Sequence, residues 1–205
     1  MEVRQLFADR VKRFAQVFRS AERRDPPFAD VHEAFGTLRA LSYHAAYDEL
    51  LDQERHRLGP NVIANTELGR QLTVAEISRA HRQQTRIYRD TIGFFREVDI
   101  LIAPAAAVQP FPHSEPFVRE IDGKAMPNYV RWLALAYGPT TALCCVCCIP
   151  CGVDGNGLPF GIQVVGAKGA DSQVLAAAKA LEQLFAADRS LARPLPDLSR
   201  LRSRS

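Results

Sequence analysis

The stretch from Cys144 to Val165 constrains the fold of this chain more than any other part of its sequence. Two apolar runs flank a turn with the sequence DGNG at residues 154–157, and Asp-Gly and Asn-Gly both tolerate the positive φ angles of a tight hairpin. The first run, Cys144–Pro150, shows no alternation of polar and apolar residues and indicates a strand covered on both faces. The sequence therefore predicts a central β-hairpin that needs partners in a larger sheet.

The five cysteines of the chain all lie in this hairpin, at positions 144, 145, 147, 148 and 151. Their C-x-x-C spacing is compatible with a metal or redox site. A closed zinc site, however, usually pairs two knuckles far apart in sequence, and the chain has no second cysteine cluster. Since side chains on a strand alternate between its faces, the thiols would not converge. We therefore predict cysteines packed as small apolar residues, and a cysteine-based metal or redox module is the alternative.

The composition indicates a soluble globular protein, because 47% of the residues are hydrophobic and 24% are charged. No apolar run has the length of a membrane span, and the first residues lack the pattern of a signal peptide. Clustered free cysteines fit a reducing compartment, so we expect a cytoplasmic protein that does not bind membranes. The net charge of +3 comes from basic residues spread along the chain, which argues against nucleic-acid binding.

Two amphipathic helices are predicted near the N-terminus. Apolar residues at intervals of three and four indicate a helix over residues 3–18. The spacing of Asp30 and Glu33 matches a capping box and predicts the start of a second helix. This helix is expected to continue until Gly59-Pro60 stops it.

A third helix is predicted from Thr73, which has the same capping-box spacing to Glu76. The histidines on these helices lack the i, i+4 pairing of metal-binding helices. We expect them to be solvated or hydrogen-bonded rather than metal ligands: His32, His44, His56 and His81.

The second half of the chain predicts strands, a long loop and further helices. Asp99–Pro104 is a short apolar run that ends at proline and indicates a buried strand. Residues 105–127 are rich in proline and lack periodicity, as in a functional or disordered loop. Residues 129–143 indicate a helix broken by Gly138-Pro139, and Asp171 is expected to cap a last helix with an apolar stripe.

The order of these elements predicts an α/β protein, with helices layered on a sheet. Residues 1–187 are expected to form one domain. From Asp188 onward, repeated Arg, Pro and Ser predict a disordered tail over residues 188–205.

Two segments of the hairpin, 149–152 (IPCG) and 157–163 (GLPFGIQ), resemble the C-terminal block of the amidase signature family. The family's pattern there is V-P-C-G, a short turn and G-L-P-x-G-h-Q, where h is apolar. Asp99–Pro104 is similar to the family's D-h-L-h-x-P strand. Weaker similarity to the family's middle region extends the match over most of residues 31–186.

The resemblance implies an enzyme that hydrolyses carboxamides, or an amide-transfer subunit, with a mixed twisted sheet flanked by helices on both faces. Catalysis in this family uses a serine nucleophile, a second serine on a cis peptide bond and a lysine base, while N–H groups of a glycine-rich loop bind the oxyanion. In the family these residues lie in the half of the fold that precedes the segment matched here.

The chain itself lacks this catalytic set, because none of its nine serines lies in a glycine-rich loop. Its four lysines are predicted on polar helix faces or in loops, where burial would not lower the pKa of a base: Lys12, Lys124, Lys168 and Lys179. We therefore assign no catalytic, cofactor-binding or metal-binding residue to this chain, and expect no cofactor.

The prediction is thus the C-terminal portion of one amidase-like domain, over residues 1–187. It belongs to an amidohydrolase that hydrolyses a carboxamide C–N bond with a serine nucleophile outside this chain. The expected partners are a small-molecule amide substrate and the missing N-terminal half, and unpaired strand edges favour homo-oligomers. A non-catalytic amidase-like fragment or pseudoenzyme is the alternative.

The stretch before the P-C-G block lacks the glycine and the proline of the family's pattern. Before the P-C-G block the family has N-L-T-G-x-P-A, and Leu143 stands where its glycine allows a close backbone approach. The aromatic residues Phe117, Tyr129 and Trp132 could line a substrate cleft, although aromatic residues more often pack in a core. No site is assigned to them.

Overall fold

The computed structural model of the protein describes residues 3–199. These residues form two compact units. The first unit contains the chain up to Arg24, Asp99–Ala136 and the chain from Cys145 onward, and the second contains Asp25–Val98 and Tyr137–Cys144. The single domain expected from the sequence stays a prediction.

The predicted α/β class is confirmed. Among residues 3–199 there are six α-helices, namely α1 Val3–Phe14, α2 Val31–Glu54, α3 Pro60–Arg70, α4 Val74–Phe94, α5 Ala134–Thr141 and α6 Asp171–Ala187. The strands are β1 Leu101–Pro104, β2 Glu120–Ile121, β3 Lys124–Ala125, β4 Cys145–Val153 and β5 Pro159–Gly166. None of the helices in this part of the chain combines the length and the apolarity needed to cross a membrane.

Strands β4 and β5 form the antiparallel hairpin that the sequence predicts, and β1 pairs with the other side of β5. The strand order is β1-β5-β4, so β5 is central and the other two are edge strands within the described residues. In this register Val164 of β5 lies between Ile102 of β1 and Cys147 of β4. The register shifts between Pro150 and Val153, where the hairpin approaches its turn.

The hairpin turn is held by the side chain of Asp154. Its Oδ1 atom accepts hydrogen bonds from the backbone N–H groups of Asn156 and Leu158, at 2.8 and 2.9 Å. Gly157 has a φ of 77°, a conformation that costs glycine little. These contacts explain why the sequence DGNG reverses the chain at this point.

The expectation that the first strand of the hairpin is covered on both faces is wrong. One face of β4 packs in the core of the first unit, where Ile149 and Cys151 are 4% and 0% exposed. On the other face Val146 is 42% exposed and Cys148 is also exposed. Of the β4 residues, Cys145, Cys147, Ile149 and Cys151 belong to or pack against the core cluster of the first unit, whereas Val146 and Cys148 do not.

The core of the first unit lies between the sheet and the helices α1 and α6. Phe14 of α1 contacts Phe185 of α6 with ring centroids 5.6 Å apart, and both side chains are almost fully buried. The predicted N-terminal helix therefore exists and supplies an apolar stripe to this core, continuing as a 3₁₀ turn to Val17. The prediction that Asp171 caps this helix is wrong, because Asp171 is the first residue of α6 and the N-cap position is held by Ala170, which makes no side-chain capping bond.

The tail predicted from Asp188 begins in an ordered segment. Leu191 is 1% exposed and belongs to the core, and the side chain of Asp188 accepts hydrogen bonds from the N–H and hydroxyl of Ser190. A Cβ atom at Gly152 would lie 2.1 Å from the Ser190 carbonyl oxygen. The glycine of the P-C-G block thus allows this segment to pack on β4, and the disordered tail over residues 188–205 stays a prediction. Residues 200–205 lie outside the described residues.

The long proline-rich loop contains a small hairpin that the sequence did not predict. Strands β2 and β3 pair through Glu120 with Ala125 and Ile121 with Lys124. The two residues between these strands have positive φ angles, 51° at Asp122 and 72° at Gly123. The remainder of the loop is irregular.

The second unit is built from α2, α3 and α4. Helix α3 is an addition to the prediction, which treated Gly59-Pro60 only as a stop signal. Pro60 is the first residue of α3, a position where its missing N–H costs nothing. Gly69 brings α3 close to α2, since a Cβ atom there would lie 2.3 Å from the Ala40 carbonyl oxygen.

The two predicted capping boxes have different outcomes. Thr73 and Glu76 form the full reciprocal pair at the start of α4, with N–H to oxygen distances of 2.8 and 3.2 Å. Asp30 does not cap α2, because its φ of 61° places it in the left-handed region and its carboxylate instead pairs with Arg86. Glu33 likewise bonds Arg79, at 3.0 Å, so a helix–helix ion pair replaces the local cap.

Helix α5 is not broken at Gly138-Pro139, because Pro139 lies inside it. Its last residue is Thr141, and Leu143, two residues later, has a φ of 59°. The N–H of Leu143 donates to the Thr140 carbonyl at 3.1 Å, and the N–H of Cys144 donates to the Pro139 carbonyl at 3.0 Å. This is the Schellman arrangement, in which the left-handed position is usually glycine. Leu143 therefore holds a left-handed position that usually requires glycine.

Candidate functional site

The best-defined concave site lies in the first unit, where β1 ends and β5 begins. It is a cavity of about 240 Å³ with mostly apolar walls. The loop after β1 supplies one wall and the start of β5 supplies another. The lining residues are Val3, Ala105, Ala106, Val108, Gln109, Pro110, Phe111, Trp132, Asp154, Pro159, Phe160 and Gly161.

Trp132 is the only tryptophan in the chain. Its ring meets that of Phe111 edge to face, with centroids 5.5 Å apart and an interplanar angle of 83°. The indole Nε1 atom is buried and has no hydrogen-bond partner among the described residues. A buried N–H donor without an acceptor is rare, since it forfeits its hydrogen bond to water.

The two other polar side chains of the cavity satisfy each other. Gln109 donates from Nε2 to Oδ2 of Asp154 at 2.9 Å. The other carboxylate oxygen of Asp154 is already engaged by the backbone of the hairpin turn. The Gln109–Asp154 contact thus fixes the loop after β1 to the β4–β5 turn and closes one side of the cavity.

Gln163 fixes a second wall. This side chain is 4% exposed, and its Nε2 atom donates to the carbonyls of Pro104 and Leu135, at 3.1 and 2.9 Å. The carbonyl oxygen of Leu135 lacks its usual helical hydrogen bond, because Pro139, four residues later in α5, has no N–H to donate. Gln163 donates to it instead. Gln163 therefore links the end of β1 to the start of α5, close in sequence to Trp132.

Comparison with known proteins identifies the family. A family model described as Amidase matches residues 11–175 of the chain. The chain belongs to the Amidase family.

Individual relatives are longer than this chain. It is 33% identical to a glutamyl-tRNA(Gln) amidotransferase subunit from Novosphingobium aromaticivorans over 109 residues, 53% of this chain and 21% of that protein. It is 27% identical to a 2-amino-5-chloromuconic acid deaminase of Comamonas testosteroni, over 80% of this chain and 36% of that protein. The chain thus spans between a fifth and two-fifths of the length of these curated relatives.

The solved structure of an amidase superposes on the chain with a TM-score of 0.80 and 22% identity. The superposition covers 88% of this chain and 41% of that one. This similarity establishes the Amidase fold, and the resemblance drawn from residues 99–104 and 149–163 is confirmed.

The lysines of the chain do not have the environment of a catalytic base. All four have exposed side chains in the structure: Lys12, Lys124, Lys168 and Lys179. Lys12 forms an exposed ion pair with Asp9 at 3.1 Å. A lysine acts as a base at neutral pH when burial lowers its pKa, and none of these positions provides that burial.

The serine side chains that make hydrogen bonds within residues 3–199 use them locally. Ser42 donates to the Leu38 carbonyl, while Ser190 and Ser199 donate to the aspartates two residues before them. None of these bonds joins a serine to a lysine or histidine. The arrangement provides no activated nucleophile among them.

The cysteines occupy both faces of β4, as the alternation argument predicts. Cys145, Cys147 and Cys151 pack against the core, whereas Cys148 is exposed on the other face. Burial raises the pKa of the Cys151 thiol from 9.0 to about 11. Burial, and then the neighbouring Cys147, also raise the pKa of Cys148. Raised thiol pKa values disfavour the reactive thiolate.

No group of three or more His, Cys, Asp or Glu side chains within residues 3–199 is arranged to hold a metal ion. Two of the histidines, His32 and His44, make other contacts. The His32 ring is hydrogen-bonded to Tyr137, and His44 Nδ1 lies 3.0 Å from an Asp48 carboxylate oxygen. These contacts are those of packed or surface histidines.

Of the three aromatic residues considered as cleft residues, the structure places Trp132 in the cavity wall. Phe117 and Tyr129 are not among the lining residues, and Phe117 instead lies under the Arg119 guanidinium, 4.1 Å from the ring centroid. Gln109, Phe111 and Asp154 also line the cavity and were not among the residues predicted from the sequence. Asp154 carried a signal in the turn motif, but its contact with Gln109 spans 45 residues and has no local signature.

A second depression, of about 520 Å³, runs along α4 in the other unit. Its lining residues all belong to this one helix and include Arg82, Arg86 and Arg89. Most of these side chains are exposed, and Arg86 is paired with Asp30. A depression bounded by one exposed helix face lacks the converging walls of a binding site, so the cavity around Trp132 is the stronger candidate.

Proposed function

We propose that this chain is the C-terminal portion of an amidase-signature amidohydrolase. In this proposal a serine nucleophile outside the chain attacks the carbonyl carbon of a carboxamide and releases the amine, and water then hydrolyses the acyl-enzyme. The carrying observation is that a chain of the Amidase family, superposing on 41% of a solved amidase, has four lysines that are all exposed.

The proposed role of this portion is to complete the sheet and the substrate cavity. The open face of β4 carries apolar Val146 and Cys148, and its outer edge has no strand partner among the described residues. Apolar edge strands are sites of pairing with another chain. The proposed occupant is the N-terminal portion of the amidase fold, which would bring the nucleophile, the lysine base and the oxyanion-binding N–H groups.

The test is complementation. The chain is co-expressed with the N-terminal portion of an Amidase family member whose corresponding C-terminal portion has been deleted, and amine release is followed on simple aliphatic and aryl amides. We expect turnover from the complex and none from either part alone. Replacing the partner's nucleophilic serine by alanine should abolish it.

Two variants of the chain sharpen this test. Val146→Lys places a charge on the open face of β4 and should reduce complementation, whereas Leu175→Lys places one on α6 at a side chain that is 60% exposed and should not. Turnover by the isolated chain, lost on mutation of one of its own residues, would overturn the proposal.

The non-catalytic fragment is the second candidate, and the exposed lysines favour it equally. The two differ in the complementation result. A complex that forms through the open face of β4 but remains inactive with every amide would support the non-catalytic fragment.

A further inference from the structure

We infer that the cavity around Trp132 binds a small organic cation, specifically a quaternary ammonium group. Such a cation carries its charge behind methyl groups and has no N–H to donate. All the residues that line the cavity lie in the first unit. Binding there needs no catalytic partner, so the inference extends beyond the proposed hydrolysis.

The charge of the cavity wall is negative. Asp154 is the only ionisable side chain among the lining residues, and it is 8% exposed. Within the described residues its carboxylate accepts hydrogen bonds only from neutral donors, namely Gln109 and two backbone N–H groups of the hairpin turn. The side chain of Arg10 donates to the adjacent carbonyl of Val153, at 2.6 Å, and does not line the cavity. Because a buried charge is usually paired, this carboxylate favours a cation in the cavity and disfavours an anion.

The aromatic residues of the wall favour the same class of ligand. Phe111, Trp132 and Phe160 line the cavity, and the rings of Phe111 and Trp132 meet edge to face with centroids 5.5 Å apart. Aromatic rings attract cations through the negative charge of their faces, and groups of such rings recognise quaternary ammonium ligands. The cavity thus combines two features that each stabilise a bound cation.

The hydrogen-bonding state of the wall selects a cation without N–H groups. A primary ammonium has three donors that need acceptors, whereas both carboxylate oxygens of Asp154 are already hydrogen-bonded. The methyl groups of a quaternary ammonium fit the mostly apolar walls instead. Since an apolar cavity of about 150 Å³ holds benzene, a cavity of about 240 Å³ has room for a trimethylammonium head group and a short chain.

The experiment compares two probes of nearly equal shape on the full chain. Choline and 3,3-dimethylbutan-1-ol differ in the charged nitrogen of choline, which the alcohol replaces by carbon. Binding is measured at constant ionic strength by the fluorescence of Trp132, the only tryptophan, and by NMR titration of the methyl resonances of each probe. We expect choline to bind about tenfold more tightly than the alcohol, as for a cation held by aromatic rings in a site shielded from water.

Two variants each remove one source of attraction. Asp154→Asn removes the negative charge but keeps an oxygen that accepts the N–H groups of the turn, and Phe111→Leu removes a ring but keeps an apolar side chain. Each should reduce the advantage of choline to about threefold or less, while the alcohol still binds. Asp122→Asn is the matched control, because it removes an exposed carboxylate of the same unit that lies outside the cavity and pairs with Arg4. It should leave the advantage of choline at about tenfold.

A further variant locates the binding in the cavity. Ala106→Leu adds bulk at an exposed lining residue and should weaken the binding of both probes. Near-UV circular dichroism verifies the fold of every variant. If Asp154→Asn does not fold, Phe111→Leu decides the result.

The inference is overturned if choline binds the wild-type chain no more tightly than the alcohol, or if neither probe binds. It is also overturned if a folded Asp154→Asn or Phe111→Leu variant keeps the full advantage of choline, or if Ala106→Leu binds both probes as tightly as the wild type. Failure of the complementation assay would leave these binding results unaffected. Conversely, an active complex whose chain shows no preference for choline would refute this site and preserve the proposed function.

Discussion

The two strands of the central hairpin differ sharply in their surroundings. On β5, the side chains of Ile162, Val164 and Val165 are each 0% exposed, and a strand pairs on either side. On β4, Val146 is 42% exposed, and only one side is paired within the described residues. Within the described residues, the central strand β5 is therefore buried and paired on both sides, whereas β4 has a partly exposed face and an unpaired edge.

The composition of β4 fits a buried strand better than the edge strand seen here. It contains no charged residue, although edge strands usually carry charges that prevent pairing with other chains. Pro150 is the only residue of the strand that cannot donate to a ladder. The contrast with β5 is what a sheet would show if its next strand came from the remainder of the amidase fold, as we propose.

We expect the largest difference in unfolding free energy between side-chain truncations on β5 and on β4. Ile162→Ala on β5 removes a fully buried side chain and should lower the free energy of unfolding by about 2–5 kcal/mol, because the cavity left behind cannot be hydrated. Val146→Ala on β4 should cost less than about 1 kcal/mol, since that side chain is already partly in water. Urea denaturation of both variants measures this, and equal losses would show that the edge is buried in solution.

The end of β4 offers a test by glycine substitution. Gly152→Ala combines a φ of 76° with a Cβ atom 2.1 Å from the Ser190 carbonyl oxygen, and should destabilise by about 2–4 kcal/mol. Gly155→Ala is the matched control in the turn, where a Cβ atom meets nothing within 4 Å. Thermal unfolding of the two variants should separate clearly, and a tolerant Gly152 would mean that the segment after α6 does not pack there.

The buried thiol on the core face of β4 predicts a dependence on alkaline pH. The pKa of Cys151 is raised from 9.0 to about 11 by burial, so the unfolded chain releases this proton at lower pH than the folded chain. The resulting stability is fully present below pH 9 and is lost between pH 9 and 11, to a total of about 2–3 kcal/mol.

Unfolding free energies from pH 8 to pH 11 measure this loss. Cys151→Ala should abolish the part of the stability loss that comes from the Cys151 thiol. Cys148→Ala, on the exposed face, should leave that part unchanged. The same pH slope in wild type and Cys151→Ala would contradict the assignment.

The smallest effect is expected just before β4. Leu143 adopts a left-handed conformation that costs a non-glycine residue about 1–2 kcal/mol, and glycine avoids this strain but loses more entropy on folding. Leu143→Gly should therefore stabilise the chain by about 0.5–1 kcal/mol. Leu143→Ala keeps the Cβ atom and should give no gain, and a gain from alanine would point to the 43% exposed side chain instead of the backbone.

Local patterns in the sequence predicted the elements whose causes are local. The DGNG turn indicated the β4–β5 hairpin, and the Thr73–Glu76 spacing indicated the start of α4, because the residues that form these features are neighbours in sequence. The same spacing at Asp30 failed because a distant partner, Arg86, takes its carboxylate. The predicted stop at Gly59-Pro60 holds for α2, but Pro60 also starts α3. The predicted break at Pro139 was wrong, because Gln163, distant in sequence, donates to the Leu135 carbonyl that Pro139 leaves open.

The cavity could not have been predicted in the same way. Of its lining residues, only Trp132 stands out in the sequence, by its aromatic character. Its unpartnered N–H and the contact of Gln109 with Asp154 depend on how segments far apart in sequence come together. The exposure of one face of β4 could not be predicted from the sequence either. An apolar run of residues predicts a buried strand and does not show whether the residues that would bury it belong to the same chain.

Hydrogen exchange on the β4 amides tests the central claim most directly. In the isolated chain, kept monomeric by dilution, we expect the outward-facing amides of β4 to exchange rapidly while those of β5 are protected. Addition of the N-terminal portion of an Amidase family member should protect β4 and leave β5 unchanged. Full protection of β4 in the monomer, or no gain in protection within an active complex, would contradict the account of β4 as the edge at which the amidase sheet continues.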